Sequence, residues 1–266
     1  MRKMFLYLFL VIVVLVNTSF HMPVNNCFIS SEAAVLIDAR TGEVLFEKSA
    51  HKIMYPASTT KVMTALLLIE YAEIYGFDEY VYISENAVSS IGRRASNIGL
   101  LPGERLTLRE CLYAIMLASA NEVCVAVAEH IAGSVEAFSE KMNERAVETG
   151  ALKTHFTNPT GLHERNHVTT AYDIALIKRE AAAYDIFIET ISTKFYEPLN
   201  ISNRNLLIQD GEFYREYVVG GKTGFTSAAG HTLVTYAKIN GSELICVVLR
   251  TSNLLIYEDT IKLLKR

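Results

Sequence analysis

The sequence predicts an α+β domain in which one antiparallel sheet takes strands from both ends of the chain and is flanked by helices. Two observations predict this architecture. Strand-like segments occur near the two ends, whereas the segments between them carry the signals of helices. The 266 residues are 50% hydrophobic, so the chain is able to bury a sizeable core.

Five segments have the composition of strands. Residues 33–38 and 44–47 are joined by a turn through Thr41-Gly42. The other three lie near the C-terminus, at residues 217–219, 232–239 and 244–249. Asn240-Gly241 joins the last two and is the strongest short hairpin signal. We therefore expect a five-stranded antiparallel sheet with a helical region inserted between its strands.

Helix signals fill the middle of the chain. One helix begins near Ser58, and Thr107 with Glu110 forms a capping box that begins another, which runs to about residue 118. We expect further helices at about residues 121–132, 134–150, from 170 onwards and at 255–264. Gly133 and Gly150 suit the left-handed residue that commonly ends a helix.

The N-terminus has the layout of a secretory signal. Arg2 and Lys3 precede an apolar run at residues 4–16, which is short for a membrane-spanning helix of roughly 20 residues. We predict that residues 1–28 are a signal peptide or N-terminal anchor, with the cleavage site left open, and that residues 29–266 form the functional domain. The protein is then exported to the outer face of the cytoplasmic membrane, the periplasm or the wall space.

Charge and cysteines restrict the function classes. The net charge of −4 gives no reason to expect a nucleic-acid partner. Cys111, Cys124 and Cys246 lie in apolar stretches typical of core thiols, whereas Cys27 follows the leader. Because no C-x-x-C pattern or Cys/His spacing is present, we expect neither a metal site nor a cofactor.

The first candidate motif is Ser58-Thr59-Thr60-Lys61, which places an amine one helical turn from a hydroxyl. A serine becomes a good nucleophile when a neighbouring base takes its proton, and an amine is such a base if its pKa is lowered. The alternative is that Ser58 caps a helix. A second match, Ser49-Ala50-His51-Lys52, precedes the Tyr55-Pro56 break and is predicted to be loop.

Two further motifs follow. Ser119-Ala120-Asn121 joins two apolar helices, where Ser119 could relay a proton and Asn121 could hold a substrate amide; alternatively, it is a polar connection with a cap. The competing Ser84-Glu85-Asn86 lacks that context. Lys222-Thr223-Gly224 follows the strand at residues 217–219, where the lysine could meet a substrate carboxylate and Gly224 permits close backbone approach. The alternative there is a surface lysine at a strand end.

Together the three motifs form the set found in serine β-lactamases and penicillin-binding proteins, with alanine where the middle motif commonly has aspartate. From about Ala33 to Leu264 the chain resembles the low-molecular-mass penicillin-binding proteins, the D-alanyl-D-alanine carboxypeptidases. Further matching blocks are A-V-L-I-D-A-R-T-G-E-V-L-F-E-K, T-H-F-T-N-P-T-G-L, H-V-T-T-A-Y-D-I-A, N-R-N-L-L and K-T-G-F-T-S-A-A-G.

The resemblance implies the serine β-lactamase/penicillin-binding transpeptidase-like fold and removal of the terminal D-alanine from peptidoglycan pentapeptides through an acyl-enzyme. Penicillins and other β-lactams would acylate the same serine. The resemblance implies that Ser58 is the nucleophile and Lys61 its general base. Ser119 and Asn121 would form the opposite wall, and the carboxylate-binding strand would carry Lys222, Thr223 and Gly224. The backbone N–H groups of Ser58 and Phe225 would form the oxyanion hole.

The chain departs from the family at two points. Relatives commonly continue into a β-rich domain and an amphipathic membrane helix, whereas this sequence ends near the close of the catalytic domain, so we expect any membrane attachment through residues 4–16. Several relatives have arginines just before the final helix, where this chain has Leu254-Leu255-Ile256. Arg204 is a possible substitute in binding the carboxylate.

The residues leave two alternative functions open. A serine β-lactamase would need fast deacylation, and Glu164-Arg165-Asn166 lies in a suitable region without the E-x-x-L-N pattern of one class. A non-catalytic protein of the same fold could bind wall peptides or a partner. Penicillin acylation combined with D-alanine release from a pentapeptide separates all three functions.

Overall fold

A computed structural model of the chain describes residues 28–92 and 94–266. Apart from Phe28, the predicted leader lies outside these residues. Five strands form one antiparallel sheet in the order β2-β1-β9-β8-β7. Their bounds are β1 Ala33–Asp38, β2 Val44–Lys48, β7 Val218–Thr226, β8 Gly230–Ile239 and β9 Ser242–Thr251. The predicted five-stranded sheet with strands from both ends of the chain is confirmed.

Eight helices and two short ribbons complete the described part of the chain. The helices are α1 Lys61–Tyr75, α2 Glu85–Ser89, α3 Leu108–Tyr113, α4 Asn121–Ala132, α5 Val135–Glu148, α6 Ala171–Ala181, α7 Asp185–Ser192 and α8 Leu255–Leu264. The ribbons pair β3 Tyr80–Tyr82 with β4 Arg105–Thr107, and β5 Phe195–Tyr196 with β6 Ile201–Ser202. In residues 28–92 and 94–266, no helix has the length and apolarity needed to cross a bilayer.

Local signals fixed the element ends that the sequence predicted. The Thr107 hydroxyl accepts from the Glu110 backbone N–H at 3.2 Å, and the Glu110 carboxylate accepts from the Thr107 backbone N–H at 2.7 Å. This is the predicted capping box. Asn240 and Gly241 both have positive φ, as the tight β8–β9 hairpin requires. Helix α2, helix α7 and both ribbons were not predicted.

The sheet separates two apolar layers because successive strand residues face opposite sides. On β9, Ile245, Val247 and Leu249 pack towards the large core beneath helices α1, α4 and α6. Cys246 and Val248 pack on the other side, in the smaller core under α8. The expected core positions of Cys111, Cys124 and Cys246 are confirmed by their burial. The sheet is therefore covered on both faces, and β7 is one of its two edge strands.

Strand β7 is longer than the sequence predicted. The motif Lys222-Thr223-Gly224 lies inside β7 instead of following a strand at residues 217–219. Glycine is a poor strand former, so the glycines in this segment concealed its length. Packing explains them, because a Cβ atom on Gly221 would lie 2.1 Å from the carbonyl oxygen of Val234 on β8.

A buried carboxylate fastens the start of the described chain to the last helix. Asp259 of α8 is fully buried, and its oxygens accept from the backbone N–H groups of Ser30 and Ser31 at 3.1 and 2.7 Å. The Ser31 hydroxyl donates to the same carboxylate at 2.6 Å. Because Ser31 lies two residues before β1, these bonds hold the start of β1 against α8.

Asp259→Ala should lower the free energy of unfolding by at least about 2 kcal/mol, since it leaves buried donors without an acceptor. Urea unfolding measures the change. Glu258→Ala, at the exposed neighbouring position, should cost less than about 1 kcal/mol. Equal effects of the two changes would show that the buried carboxylate does not fasten β1.

Candidate active site

The candidate nucleophile lies on a strained turn. Ser58 belongs to a 3₁₀ turn, Ala57–Thr60, that leads directly into α1. Ala57 has φ 50°, a left-handed conformation that costs a non-glycine residue energy and is common at functional sites. The Pro56 carbonyl holds the turn by accepting from the hydroxyls of Thr59 at 2.7 Å and Thr232 at 3.1 Å. Neither this turn nor α1 is capped by a side chain, so Ser58 does not act as a helix cap.

The amine of Lys61 is fully buried beside Ser58. It lies 3.2 Å from the Ser58 hydroxyl, 2.7 Å from the Asn121 side-chain oxygen and 2.5 Å from the Thr160 carbonyl oxygen. Residues distant in sequence therefore meet at one nitrogen. Burial lowers the pKa of Lys61; the Cys124 thiol opposes this shift and the Arg204 charge adds to it.

A neutral amine fits these neighbours. It has two N–H donors and one lone pair, while the site offers two carbonyl-type acceptors and one hydroxyl that can donate. With its N–H groups directed at Asn121 and Thr160, the Lys61 lone pair faces the Ser58 O–H. This arrangement suits removal of a proton from Ser58.

The second motif forms the facing wall. A π-helical turn, Ala114–Ala118, follows α3 and ends at Ser119, which has φ 62°. Asn121 is the first residue of α4, and its backbone N–H donates to the Ser96 carbonyl at 2.9 Å. Ser119 and Asn121 both line the cavity that contains Ser58. The competing Ser84 instead caps α2 and donates to Glu129 at 2.6 Å, away from this cavity.

The third motif brings a second buried amine. Lys222 is 1% exposed, so it is not the surface lysine of the alternative interpretation. Its amine donates to the Thr223 carbonyl at 3.0 Å. Burial lowers the pKa of Lys222 well below its ordinary value, and the nearby Lys61 and Arg204 charges lower it further. Thr223, Gly224 and Phe225 line the cavity, whereas Lys222 lies behind them.

Two glycines let the backbone close around the Ser58 amide. A Cβ atom on Gly224 would lie 2.7 Å from the Ser58 nitrogen. Gly161 has φ 79°, and a Cβ atom there would lie 1.9 Å from the Ala57 carbonyl oxygen. The Ser58 N–H therefore lies against β7, next to Phe225, the other donor expected in the oxyanion hole.

Arg204 anchors a segment of the cavity wall. Its guanidinium donates to the Ser96 hydroxyl at 2.7 Å, and its backbone N–H donates to the Leu117 carbonyl at 3.4 Å. A buried carboxylate, Glu122, accepts from the Ile98 backbone N–H at 2.6 Å on the same segment. Residues around Ser96 are thereby fixed beside Asn121. Arg204 itself lines the cavity, where it can face an anionic group.

These elements enclose an open cleft of about 600 Å³. It is large enough for the end of a peptide. Ser58, Ser119, Asn121, Arg204, Thr223, Gly224 and Phe225 all line it. Of the stretch Leu254-Leu255-Ile256, where several relatives were expected to have arginines, Ile256 lines the wall.

The structure adds residues that sequence reasoning did not assign. Thr160 acts through its backbone carbonyl, which has no signature in residue type. His167 is buried behind the nucleophile turn and contacts the Thr60 hydroxyl at 2.8 Å. Both lie in blocks that the family resemblance included, but those blocks carried no indication of role.

The β-lactamase alternative depended on the region around Glu164. The Glu164 carboxylate accepts from the Asn158 side chain at 2.9 Å and is not among the residues that line the cleft. Within residues 28–92 and 94–266, no group of three or more His, Cys, Asp or Glu side chains is placed to hold a metal ion.

The chain is similar in sequence to proteins of known family. A family model described as D-alanyl-D-alanine carboxypeptidase, peptidase S11, matches residues 19–253. A D-alanyl-D-alanine carboxypeptidase of Bacillus subtilis is 38% identical over 227 residues, which cover 84% of this chain and 58% of that protein. One of Haemophilus influenzae is 32% identical over 230 residues, covering 83% and 57%.

Solved structures agree with the fold. A penicillin-binding protein 3 of Streptococcus pneumoniae superposes with a TM-score of 0.83 at 28% identity, covering 90% of this chain and 73% of that chain. Penicillin-binding protein 6B of Escherichia coli gives a TM-score of 0.81 at 31% identity, covering 90% and 77%. The expected penicillin-binding-protein fold is thus confirmed.

The chain spans a little over half the length of the curated relatives that it matches. The family match nevertheless covers most of the chain, and a relative above 30% identity aligns with more than two thirds of it. The chain therefore belongs to the D-alanyl-D-alanine carboxypeptidase family of serine peptidases, peptidase S11.

Proposed function

We propose that the protein is a D-alanyl-D-alanine carboxypeptidase that removes the terminal D-alanine from peptidoglycan stem peptides and is acylated by penicillins. One observation carries the proposal: the buried Lys61 amine has two carbonyl acceptors and one hydroxyl as neighbours, and that hydroxyl belongs to Ser58. This geometry makes a serine nucleophile without a histidine base.

In the proposed acylation, Ser58 Oγ attacks the carbonyl carbon of the penultimate D-alanine while Lys61 takes the hydroxyl proton. The backbone N–H groups of Ser58 and Phe225 stabilise the negative oxygen of the tetrahedral intermediate, which is typically worth ~10²–10³ in rate for each donor. When the intermediate collapses, the proton passes by way of Ser119 to the nitrogen of the departing D-alanine. Water then attacks the ester and releases the shortened peptide.

The terminal carboxylate of the substrate is assigned to the strand that carries Lys222 and Thr223. The Lys222 pKa is lowered by burial and by Lys61, so an incoming carboxylate would favour its protonated form. Arg204, with its guanidinium in the cleft, is the second cation available to this carboxylate. The two cations define the substrate as a peptide with a free C-terminus.

The domain assignment belongs to the same proposal. Residues 29–266 are the catalytic domain, and residues 1–28 are an export signal or N-terminal anchor that places the enzyme where peptidoglycan lies. Support comes from the basic and apolar pattern of the leader and from the relatives, which are D-alanyl-D-alanine carboxypeptidases.

Ser58→Ala should abolish covalent labelling by a fluorescent penicillin and release of D-alanine from a pentapeptide, because the attacking oxygen is lost. Mass spectrometry of the intact protein measures acylation, and Ser49→Ala is the control in the competing motif. Labelling that survives in Ser58→Ala, or is lost in Ser49→Ala, would falsify the assignment.

The acylation rate should rise with pH as Lys61 loses its proton. Because burial lowers the pKa of Lys61 below that of an ordinary lysine, the rise should be centred below the pH at which a lysine in water loses its proton. Lys61→Arg should be inactive throughout, since arginine stays protonated. Stopped-flow acylation across pH measures both; near wild-type rates in Lys61→Arg would rule out the general-base role.

Lys222→Ala should lower kcat/KM by at least about tenfold for a peptide with a free carboxylate, because a charge-assisted hydrogen bond contributes roughly 1.5–3 kcal/mol. The same peptide amidated at its C-terminus should be a poor substrate and lose little more in the variant. A cycle of two enzymes and two peptides measures the coupling. Simple addition of the two penalties would mean that Lys222 does not bind the carboxylate.

A further inference from the structure

We infer that His167 is a positioning residue that aims the Thr160 carbonyl at Lys61 by joining the nucleophile turn to the loop at residues 157–161. The inference rests on the proposed function, since its consequence is the rate of Ser58 acylation. His167 contacts neither Ser58 nor the cleft; it acts through Thr60 and Thr157.

The hydrogen bonds of His167 fix the position of its proton. The Thr157 backbone N–H donates to Nδ1 at 3.0 Å, so Nδ1 must carry a lone pair. In the neutral ring the proton is then on Nε2, which donates to the Thr60 hydroxyl at 2.8 Å. One imidazole thus accepts from the loop and donates to the turn that carries Ser58.

The ring keeps this form at every working pH. Burial, helped by the electrostatic influence of His155, Lys61 and His163, lowers the pKa of His167 to about 3. A base with a lowered pKa is neutral above that value, so His167 stays neutral wherever Lys61 loses its proton. It is therefore not the general base; Lys61 remains the group that titrates with activity.

The loop between Thr157 and Gly161 is fixed internally by one side chain. Asn158 Oδ1 accepts from the Thr160 backbone N–H at 3.2 Å, the Thr160 hydroxyl at 2.8 Å and the Gly161 backbone N–H at 2.9 Å. These bonds hold the loop together as one unit. Hydrogen bonds between the loop and α1 set the distance between these two elements.

Three connections, made of four hydrogen bonds, join the loop to the turn and to α1. The Thr64 hydroxyl donates to the Pro159 carbonyl at 2.7 Å, Lys61 donates to the Thr160 carbonyl, and His167 joins Thr60 to Thr157. Lys61 is the reacting group, so its bond cannot also be the constraint that orients it. His167 and Thr64 remain as the two fixed points. His167 is the one attached to the Ser58 turn itself.

The orientation of the Lys61 lone pair follows from this geometry. A neutral amine that loses the Thr160 acceptor can rotate and turn an N–H towards Ser58, which is unproductive for proton removal. Small displacements of this kind are costly, since ~1 Å of misplacement can lower a rate by ~10²-fold. His167 should therefore affect the acylation step and leave ligand binding unchanged.

Two variants each retain half of the bridge. His167→Asn places an oxygen near the Nδ1 position and retains acceptance from Thr157, whereas His167→Gln places an N–H near the Nε2 position and retains donation to Thr60. We expect each to lower the acylation rate constant for a penicillin about tenfold, with the dissociation constant of the initial complex within about twofold of wild type.

Stopped-flow acylation of the full chain separates the two constants, and final labelling stoichiometry corrects for unfolded protein. A residue that merely supports the fold would lower the labelled fraction without slowing acylation of the labelled molecules. His155→Gln is the matched control, because His155 lies on the same loop region and bonds the Asn166 carbonyl at 2.9 Å on the exposed side. It should acylate within about twofold of wild type.

Thr60→Val removes the hydrogen bond between Thr60 and His167 from the Thr60 side. It tests the role of His167 even if the His167 variants fail to fold. It should slow acylation as much as His167→Asn, and the combined change should add little. If the wild type is labelled at Ser58 and the variants acylate with unchanged rate constants, only the role of His167 is overturned. A wild-type chain that no penicillin acylates would overturn the proposed function, and with it this role.

Discussion

The burial of one amine organises the site. Moving a charged ammonium out of water costs several kcal/mol, so a fully buried lysine is driven towards its neutral form. Lys61 is compensated by two carbonyl oxygens and a hydroxyl, supplied by Asn121, Thr160 and Ser58. These three groups come from the start of α4, a loop before α6 and a turn before α1. The fold therefore has to bring two segments, 60 and 99 residues away in the sequence, within hydrogen-bond distance of the nitrogen that already lies beside Ser58.

Strain in the site is balanced by the rigidity of the scaffold around it. Ala57, which precedes Ser58, and Ser119 itself adopt left-handed conformations, each at a cost of order 1–3 kcal/mol. The five-stranded sheet supports them, since its two faces are covered by separate apolar layers and its edge strand β7 lies directly against Ser58. A mobile edge could not hold the Ser58 amide so near Gly224.

The sequence predicted features that depend on local chemistry and missed those that depend on distant contacts. Asn240-Gly241 and the Thr107 capping box act within a few residues, and the structure confirms both. The length of β7 was underestimated because close packing, and not strand propensity, selects its glycines: Gly220 lies against Ile191, Gly221 against Val234 and Gly224 against Ser58. The Thr160 carbonyl could not be predicted at all, since every residue has one and only the fold selects which faces Lys61. The motif serines and lysines were identifiable because their chemistry lies in their side chains.

The two buried amines, Lys61 and Lys222, have different roles in the proposed function. Lys61 has partners suited to a neutral amine, whereas Lys222 donates to a single described carbonyl and lies where charge on Lys61 would repel it. A carboxylate entering beside Thr223 favours a proton on Lys222, and that positive charge in turn disfavours protonation of Lys61. Substrate binding thereby strengthens the preference of Lys61 for the form that accepts the Ser58 proton. In the proposed function, a ligand without a carboxylate would leave both amines in competition for the same proton, so recognition of a free C-terminus would be coupled to activation of the serine.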